Sequence, residues 1–228
     1  IMGSRSNTVA NNEKLISGDQ YSSHTIDVAV NRQRNLTNSF ANGWYHETSG
    51  NSVPVIIEMP PNNITIPIKT PFYLEGKAED ADNDELTYTW EQNDRSNVSF
   101  NVPQFPEDSG PLFVSVFPSK LGAKRYFPNM NDLLENNYTF KEYLPFSSRE
   151  LNFRFIVRDN NLVSGGYTYK NVTLFSDQNS GPFQVISMDK YEIFSSGSEV
   201  EIKWDVANTN IPPVNCQTVS IPVSYTHL

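Results

Sequence analysis

Residues 149–159 read RELNFRFIVRD, and this stretch decides the fold class. Its apolar and polar side chains alternate: Leu151, Phe153, Phe155 and Val157 on one side, Asn152, Arg154 and Arg158 on the other. A period of two is typical of a β-strand with one buried face and one wetted face. The stretch therefore predicts a strand of an antiparallel sheet.

The same period recurs along the chain. It runs through Phe72, Leu74, Gly76 and Ala78, then through Leu86, Tyr88 and Trp90, and a further strand is expected from Tyr167 to Phe175. Short strands separated by turn signals, with no helical period between them, predict a mainly β protein, an immunoglobulin-like antiparallel β-sandwich. We place this sandwich at residues 53–178, with Trp90 in its core.

A long segment at about 98–145 interrupts the strand pattern. It is too long for an ordinary loop of a sandwich, and its PNMNDLLENN stretch favours a short helix, so we expect an elaborated insertion. Tyr126 and Phe127 lie outside the obvious strands. They are candidates for a contact surface, and the alternative is that they pack the insertion onto the sandwich.

Both ends of the chain differ from the sandwich. Residues 1–45 are polar and contain a candidate helix, about Ser22 to Leu36, with Ile26 and Val30 on one face, and residues 46–52 form a linker. A second boundary is expected at DQNSGPF, after which EVEIKWDV alternates again. The pattern predicts that Val200, Ile202, Trp204 and Val206 point inward. Residues 181–228 are too few for a whole sandwich, so we expect a second, truncated immunoglobulin-like module with exposed, aggregation-prone strand edges.

Composition excludes several classes of function. The formal charge of −9, with no cluster of Lys and Arg, argues against a nucleic-acid groove. No apolar stretch is long enough for a membrane-spanning helix. The single cysteine, Cys216, excludes an internal disulfide framework and a cysteine-based zinc site. We expect a monomer.

Residues 75–85, EGKAEDADNDE, concentrate acidic side chains between two predicted strands. Calcium prefers six to eight hard oxygen ligands at flexible angles, which makes Glu79, Asp80, Asp82 and Asp84 candidate ligands. In a sandwich, the loop after the next-to-last strand is expected nearby, which brings Asp159 and Asn160 into consideration. The alternative is an unliganded turn, since Asp and Asn favour turns in any case.

Several blocks occur in an order that resembles a known family. They are VPVIIEMPPNNITIPIKTPFYLEGKAEDADNDELTYTWEQND, KRYFPNMNDLL, EYLPFSSRELNFRFIVRDN, GPFQVISM and EIKWDVANTNIPPVNC. Over roughly residues 53–221 the chain resembles the non-catalytic region of secreted bacterial metallopeptidases of the reprolysin-like metzincin type. The resemblance implies cadherin-like or PKD-like sandwich modules downstream of a zinc peptidase domain.

By the same resemblance, residues 1–45 are the end of that peptidase domain, and Met2 in IMGS is the methionine of the turn beneath the zinc. The alternative is that Met-Gly-Ser is an expression-tag remnant. The HExxHxxGxxH pattern that holds the zinc occurs nowhere in the chain, so we expect no peptidase activity from it alone.

Two functions follow as expectations. The first is a spacer or substrate-positioning region of a secreted or cell-surface zinc metalloendopeptidase, whose partner is the protein or peptide substrate of the parent enzyme. The second is an adhesion or carbohydrate-binding module with no peptidase partner.

Overall fold

The computed structural model describes residues 50–94, 110–135, 142–162, 164–187, 193–195 and 197–221. The predicted helix at 22–36, the predicted peptidase remnant and Met2 lie outside these residues. The described part is mainly β. Its strands are β1 (Val55–Glu58), β2 (Ile64–Pro67), β3 (Phe72–Glu75), β4 (Lys77–Glu79), β5 (Thr87–Gln92), β6 (Lys124–Phe127), β7 (Arg149–Arg158), β8 (Tyr167–Asp177), β9 (Gln184–Val185) and β10 (Trp204–Asp205), and its one helix is α1 (Met130–Glu135).

The largest sheet has four strands in the order β2-β8-β7-β5. β7 lies between β8 and β5 and is antiparallel to both, whereas β2 runs parallel to β8. The remaining strands up to β8 form two separate antiparallel pairs, β1-β4 and β3-β6. We call strands β1 to β8, with their connections, the first β unit.

One core joins these sheets. It takes Ile56 from β1, Ile66 from β2, Leu74 from β3, Ala78 from β4, Trp90 from β5, Phe127 from β6, Leu151, Phe153, Phe155 and Val157 from β7, and Val172 and Leu174 from β8. The inward side chains of β7 are completely buried, as the alternation predicted. Trp90 is also completely buried, which confirms its predicted place in the core. Its ring stacks on Phe155 with the ring centroids 4.7 Å apart.

The opposite face of β7 is less wetted than predicted. Arg154 is 7% exposed and Ile156 is completely buried. The Arg154 guanidinium lies 4.0 Å from the centroid of the Tyr169 ring, and its Nε donates a hydrogen bond to Oδ1 of Asn171. The prediction that Arg154 faces water is therefore wrong, because neighbouring side chains of β8 cover it.

The segment predicted to be an insertion contributes to the core. Its described part contains α1, which confirms the helix expected in PNMNDLLENN, and β6, which pairs with β3. Phe113 and Phe127 stack edge to face at 4.9 Å, and Phe127 meets Phe153 at the same distance. Tyr126 and Phe127 therefore belong to a strand, contrary to the prediction that they lie outside the strands.

A buried ion pair fastens this segment to β5. Arg125 donates hydrogen bonds to the backbone oxygens of Trp90 and Val114 and to Oε1 of Glu142, each at 2.6 Å. The other oxygen of Glu142 accepts the N–H of Asn129 at 2.8 Å. Burial lowers the pKa of the Arg125 guanidinium, although the Glu142 carboxylate opposes that shift.

Beyond the first β unit, the described residues form only the short antiparallel pair β9-β10. We call residues 184–221 the second segment. Val200 is 39% exposed and Trp204 is 36% exposed, so the prediction that both point inward is wrong. In the described chain only the two residues of β9 pair with β10, and this pairing leaves the Trp204 side chain more than one-third exposed.

Candidate metal site

The loop between β4 and β5 folds around the carboxylate of Asp80. Its Oδ1 accepts the backbone N–H of Asp82 at 2.8 Å and that of Asp84 at 3.1 Å. Asn83 adopts φ = 59°, a left-handed conformation that Asn tolerates well. The hydrogen bonds to Asp80 and the left-handed conformation of Asn83 make the loop turn tightly. The turn brings three carboxylates close together.

The carboxylates of Asp80, Asp82 and Asp84 come together at the centre of this curve. One oxygen from each lies within 4.8 Å of the others. Asp80 and Asp84 are half-buried and Asp82 is exposed. Among the described residues this is the one group of three or more metal-ligating side chains. Negative charges at this separation repel one another, and a cation would relieve the repulsion.

One atom of this cluster lacks a partner. Oδ2 of Asp80 is buried, and no described group donates a hydrogen bond to it. A buried acceptor without a donor is costly, whereas a hard cation would satisfy a carboxylate oxygen in that position. The three aspartates could therefore hold a metal ion that takes oxygen ligands.

The loop between β7 and β8 lies beside the acidic loop, as the sequence predicted for Asp159 and its neighbours. Asn161 donates a hydrogen bond through Nδ2 to Oδ2 of Asp84 at 3.0 Å. Asn160 donates to the backbone oxygen of Glu85 at 2.9 Å. The two loops are thus joined through side-chain amides.

Asp159 is only 1% exposed and uses its carboxylate to hold its own loop. It accepts the Nδ2 group of Asn51 at 2.6 Å and the N–H of Gly166 at 2.7 and 2.8 Å to its two oxygens. A side chain at Gly166 would place its Cβ 2.7 Å from Oδ2 of Asp159, so glycine permits this approach.

Ionisation of Asp159 is favoured by these donors. Burial alone would raise the pKa of this carboxyl, but the hydrogen bonds from Asn51, Gly166 and Asn161 outweigh it and hold the pKa below its usual range. Asp159 is therefore a charged anchor of the loop.

The segment that leads into β1 is fastened to the same end of the molecule. Ser52 donates its N–H to Oδ2 of Asp82 at 2.5 Å, and Asn51 also donates to the backbone oxygen of Ser164 at 3.0 Å. The acidic loop, the β7–β8 loop and the leading segment thus form one network.

The five predicted calcium ligands separate in the structure. Asp80, Asp82 and Asp84 come together, whereas Glu79 is exposed on the outer face of β4. Asp159 lies in the adjoining loop, but its oxygens are engaged by Asn51, Gly166 and Asn161. Asn51 and Asn161 are the members of this network that sequence reasoning missed, because an Asn within a polar segment gives no distinctive pattern.

The two predicted contact residues have opposite surroundings. Phe127 is completely buried, which fits the alternative packing role and removes it from the surface. Tyr126 lies on the outer face of β6, with its ring centroid 5.7 Å from that of Tyr73. Lys124 Nζ is 4.0 Å from the centroid of the Tyr73 ring.

No family model matches the chain, and no curated protein or solved structure was found to resemble it. Within the described residues, no helix has the length and apolar character needed to cross a membrane.

Proposed function

We propose that the chain is a non-catalytic accessory region of a secreted, reprolysin-like zinc metallopeptidase, and that its first β unit is an immunoglobulin-like sandwich acting as a spacer or substrate-positioning module. The observation that carries this proposal is the order and pairing of the strands in the first β unit. The family assignment rests on the sequence resemblance.

The strand order supports the immunoglobulin-like arrangement. In that fold, strands A, B and E share one sheet and strands C, F and G share the other. We assign β1 to strand A, β3 and β4 together to strand B, and β6 to strand E. The pairing of β1 with β4 then corresponds to A with B, and the pairing of β3 with β6 corresponds to B with E. We assign β5, β7 and β8 to strands C, F and G. They are neighbours in that order in the four-stranded sheet, as C, F and G are in the immunoglobulin fold.

The spacer role follows from what such a module supplies. Holding a substrate-binding surface or a second domain at a set distance raises the effective concentration of substrate near a catalytic site without adding chemistry. The zinc of the parent enzyme would be held by residues upstream of this chain.

Reading the coding sequence upstream of Ile1 tests the family assignment. We expect HExxHxxGxxH there, because its two histidines one helical turn apart and a third histidine hold the zinc. If the upstream reading frame encodes no such pattern, the peptidase proposal is wrong.

We also propose that Asp80, Asp82 and Asp84 bind calcium. The buried Oδ2 of Asp80 and the closeness of the three carboxylates support this assignment. Bound calcium would neutralise the cluster and stiffen the network that joins the two loops to the leading segment. The ion would therefore act on stability rather than on chemistry.

Calcium titration followed by thermal unfolding tests this second proposal. Extracellular calcium modules have dissociation constants of about 0.1–1 mM, so 10 mM calcium should stabilise the fold by about 1.4 kcal/mol or more relative to chelator. Asp80→Asn should abolish the increase in Tm. Glu79→Gln is the matched control, because Glu79 is an acid of the neighbouring strand outside the cluster, and it should keep the increase. Equal Tm in calcium and in chelator would remove the calcium site.

A second candidate function is carbohydrate binding, favoured by exposed Tyr73 and the half-buried Tyr126 beside it. Tyr73 is 53% exposed, and aromatic rings on a sheet face are suited to stacking on sugars. Retardation of the protein in polysaccharide-containing gels, lost in Tyr73→Ala, would support it. Unretarded migration in a panel of polysaccharides would exclude it.

A further inference from the structure

Residues 178–183, which we call the junction, connect the first β unit to the second segment. The sequence pattern predicted a domain boundary here, and polar residues with Gly and Pro are typical of flexible linkers. The contacts of the junction indicate a different mechanical character.

On one side, the junction is hydrogen-bonded to the connection between β2 and β3. Ile68 donates its N–H to the backbone oxygen of Ser180 at 2.9 Å. Phe183 donates its N–H to Oγ1 of Thr70 at 3.0 Å, and Thr70 in turn donates to the backbone oxygen of Ile68 at 3.1 Å. Ser180 is 2% exposed, so its bond to Ile68 is shielded from water.

On the other side, the junction is hydrogen-bonded to the turn that follows β10. Gly181 donates its N–H to the backbone oxygen of Ala207 at 2.7 Å. Nδ2 of Asn208 donates to the backbone oxygen of Asn179 at 3.1 Å. The turn is itself closed, because Cys216 donates its N–H to the oxygen of Thr209 at 2.8 Å.

Gly181 makes the close approach possible. Its φ is +95°, and a Cβ at this position would lie 2.4 Å from the backbone oxygen of Ile68 and 2.9 Å from Cβ of Pro67. Any other residue would have to push the junction away from the first β unit, and it would also be strained at this φ.

We infer that the junction is a rigid elbow that holds the second segment in one orientation relative to the first β unit. The carbonyl of Ser180 and the N–H of Gly181 belong to one peptide group, and they bond to partners on opposite sides of the boundary. Rotation about this point breaks both bonds, whereas the backbone of a flexible linker would exchange its bonds with water. This inference does not depend on the proposed peptidase or calcium functions.

Distance measurements between two spin labels test the elbow in the full chain. Cys216 is exposed and provides one label site in the second segment, and Glu79→Cys provides the other on β4. We expect a single narrow distance distribution. A broad distribution in this protein would overturn the inference.

Two variants and a matched control sharpen the test. Gly181→Ala should broaden the distribution severalfold, and Thr70→Val, which removes only the hydroxyl, should broaden it to a smaller extent. Gly197→Ala is the control, since Gly197 also has a positive φ, +84°, but a Cβ there meets nothing within 4 Å. If Gly181→Ala unfolds the chain, the width of the distance distribution in Thr70→Val alone tests the inference. Distributions as narrow in the folded variants as in the control would show that these contacts do not fix the orientation.

Discussion

At position 76 the ring of Phe155 occupies the space that any side chain would need. A Cβ on Gly76 would lie 2.6 Å from the nearest carbon of that ring. Phe155 is fully buried and stacks on Trp90, so any shift of its ring would disturb the packing of the core. Gly76 thus lets the chain between β3 and β4 pass close to β7, one of the two inner strands of the four-stranded sheet.

Gly76→Ala should therefore destabilise the protein by about 1–3 kcal/mol, the range typical of overpacked cores. Urea unfolding monitored by circular dichroism measures the change. Gly165→Ala is the control, because its Cβ would lie 3.3 Å from the backbone oxygen of Asn161, a close contact but much less severe than the one at Gly76, and it should therefore cost less. Equal stability of the two variants would contradict this account of Gly76.

The buried pair Arg125 and Glu142 gives a second prediction at this scale. Arg125→Met should destabilise the protein by about 3–5 kcal/mol, because it leaves the Glu142 carboxylate buried without its cation. Adding Glu142→Leu to Arg125→Met should recover part of that loss, since the uncompensated charge is then gone. A double variant less stable than Arg125→Met would contradict this explanation.

At the scale of elements, the two loops at the acidic end are held by ionised Asp159. Its pKa is lowered in the folded state, so its stabilising contribution is fully present above the unfolded pKa of about 4 and is lost as pH falls through the folded pKa. The β7–β8 loop should thus weaken in acid.

Asp159→Asn tests this dependence. At pH 7 it should lower the free energy of unfolding by about 1.5–3 kcal/mol, the usual contribution of hydrogen bonds to a charged group. The difference from the unsubstituted protein should shrink as the pH is lowered below about 4. Asp205→Asn, an exposed carboxylate on β10, serves as the control with little effect. A difference that stays constant with pH would show that Asp159 acts without its charge.

Sequence reasoning predicted the elements whose period was visible. β7 and β8 follow from alternation, and the grouping of Asp80, Asp82 and Asp84 follows from three acids at every second position. β6 was missed because its inward residues are Arg125 and Phe127, and a buried Arg breaks the apolar pattern. Its pairing with β3, some 50 residues earlier in the chain, leaves no local signal.

Other predictions failed because the alternation of apolar and polar side chains does not show which residues cover each face of a strand. Trp204 sits in a correctly alternating stretch, yet the structure pairs only two residues there. Arg154 alternates as an outward residue, but Tyr169 and Asn171 cover it. Glu79, also predicted as a ligand, is an exposed residue of β4 and is not part of the group formed by Asp80, Asp82 and Asp84.

At the scale of the whole molecule, net charge and exposed apolar surface have opposite effects on association between copies of the protein. The net charge of −9 keeps molecules apart at pH 7, and it vanishes near the pI of 4.8. In the second segment Ile186 is 64% exposed and Ile193 is 96% exposed. We expect association near pH 5 through these side chains.

Light scattering against pH measures this association. Ile186→Lys with Ile193→Lys should suppress scattering at the pI of the variant, because apolar contacts are lost. The control is Leu162→Lys, which changes an equally exposed side chain of the first β unit. Equal suppression by the control would mean that added charge, and not the second segment, governs association.

The segment between β5 and β7 also limits how far the chain can be shortened. A version that joined Asp94 directly to Ser147 would lose Phe113, Phe127 and Arg125 together, and with them one wall of the core and the partner strand of β3. What looks in the sequence like an addition to a smaller domain is part of the core of the first β unit. Tags, fluorophores or foreign peptides are therefore better attached at the exposed tip of the β7–β8 loop, at Leu162, than inserted in place of this segment.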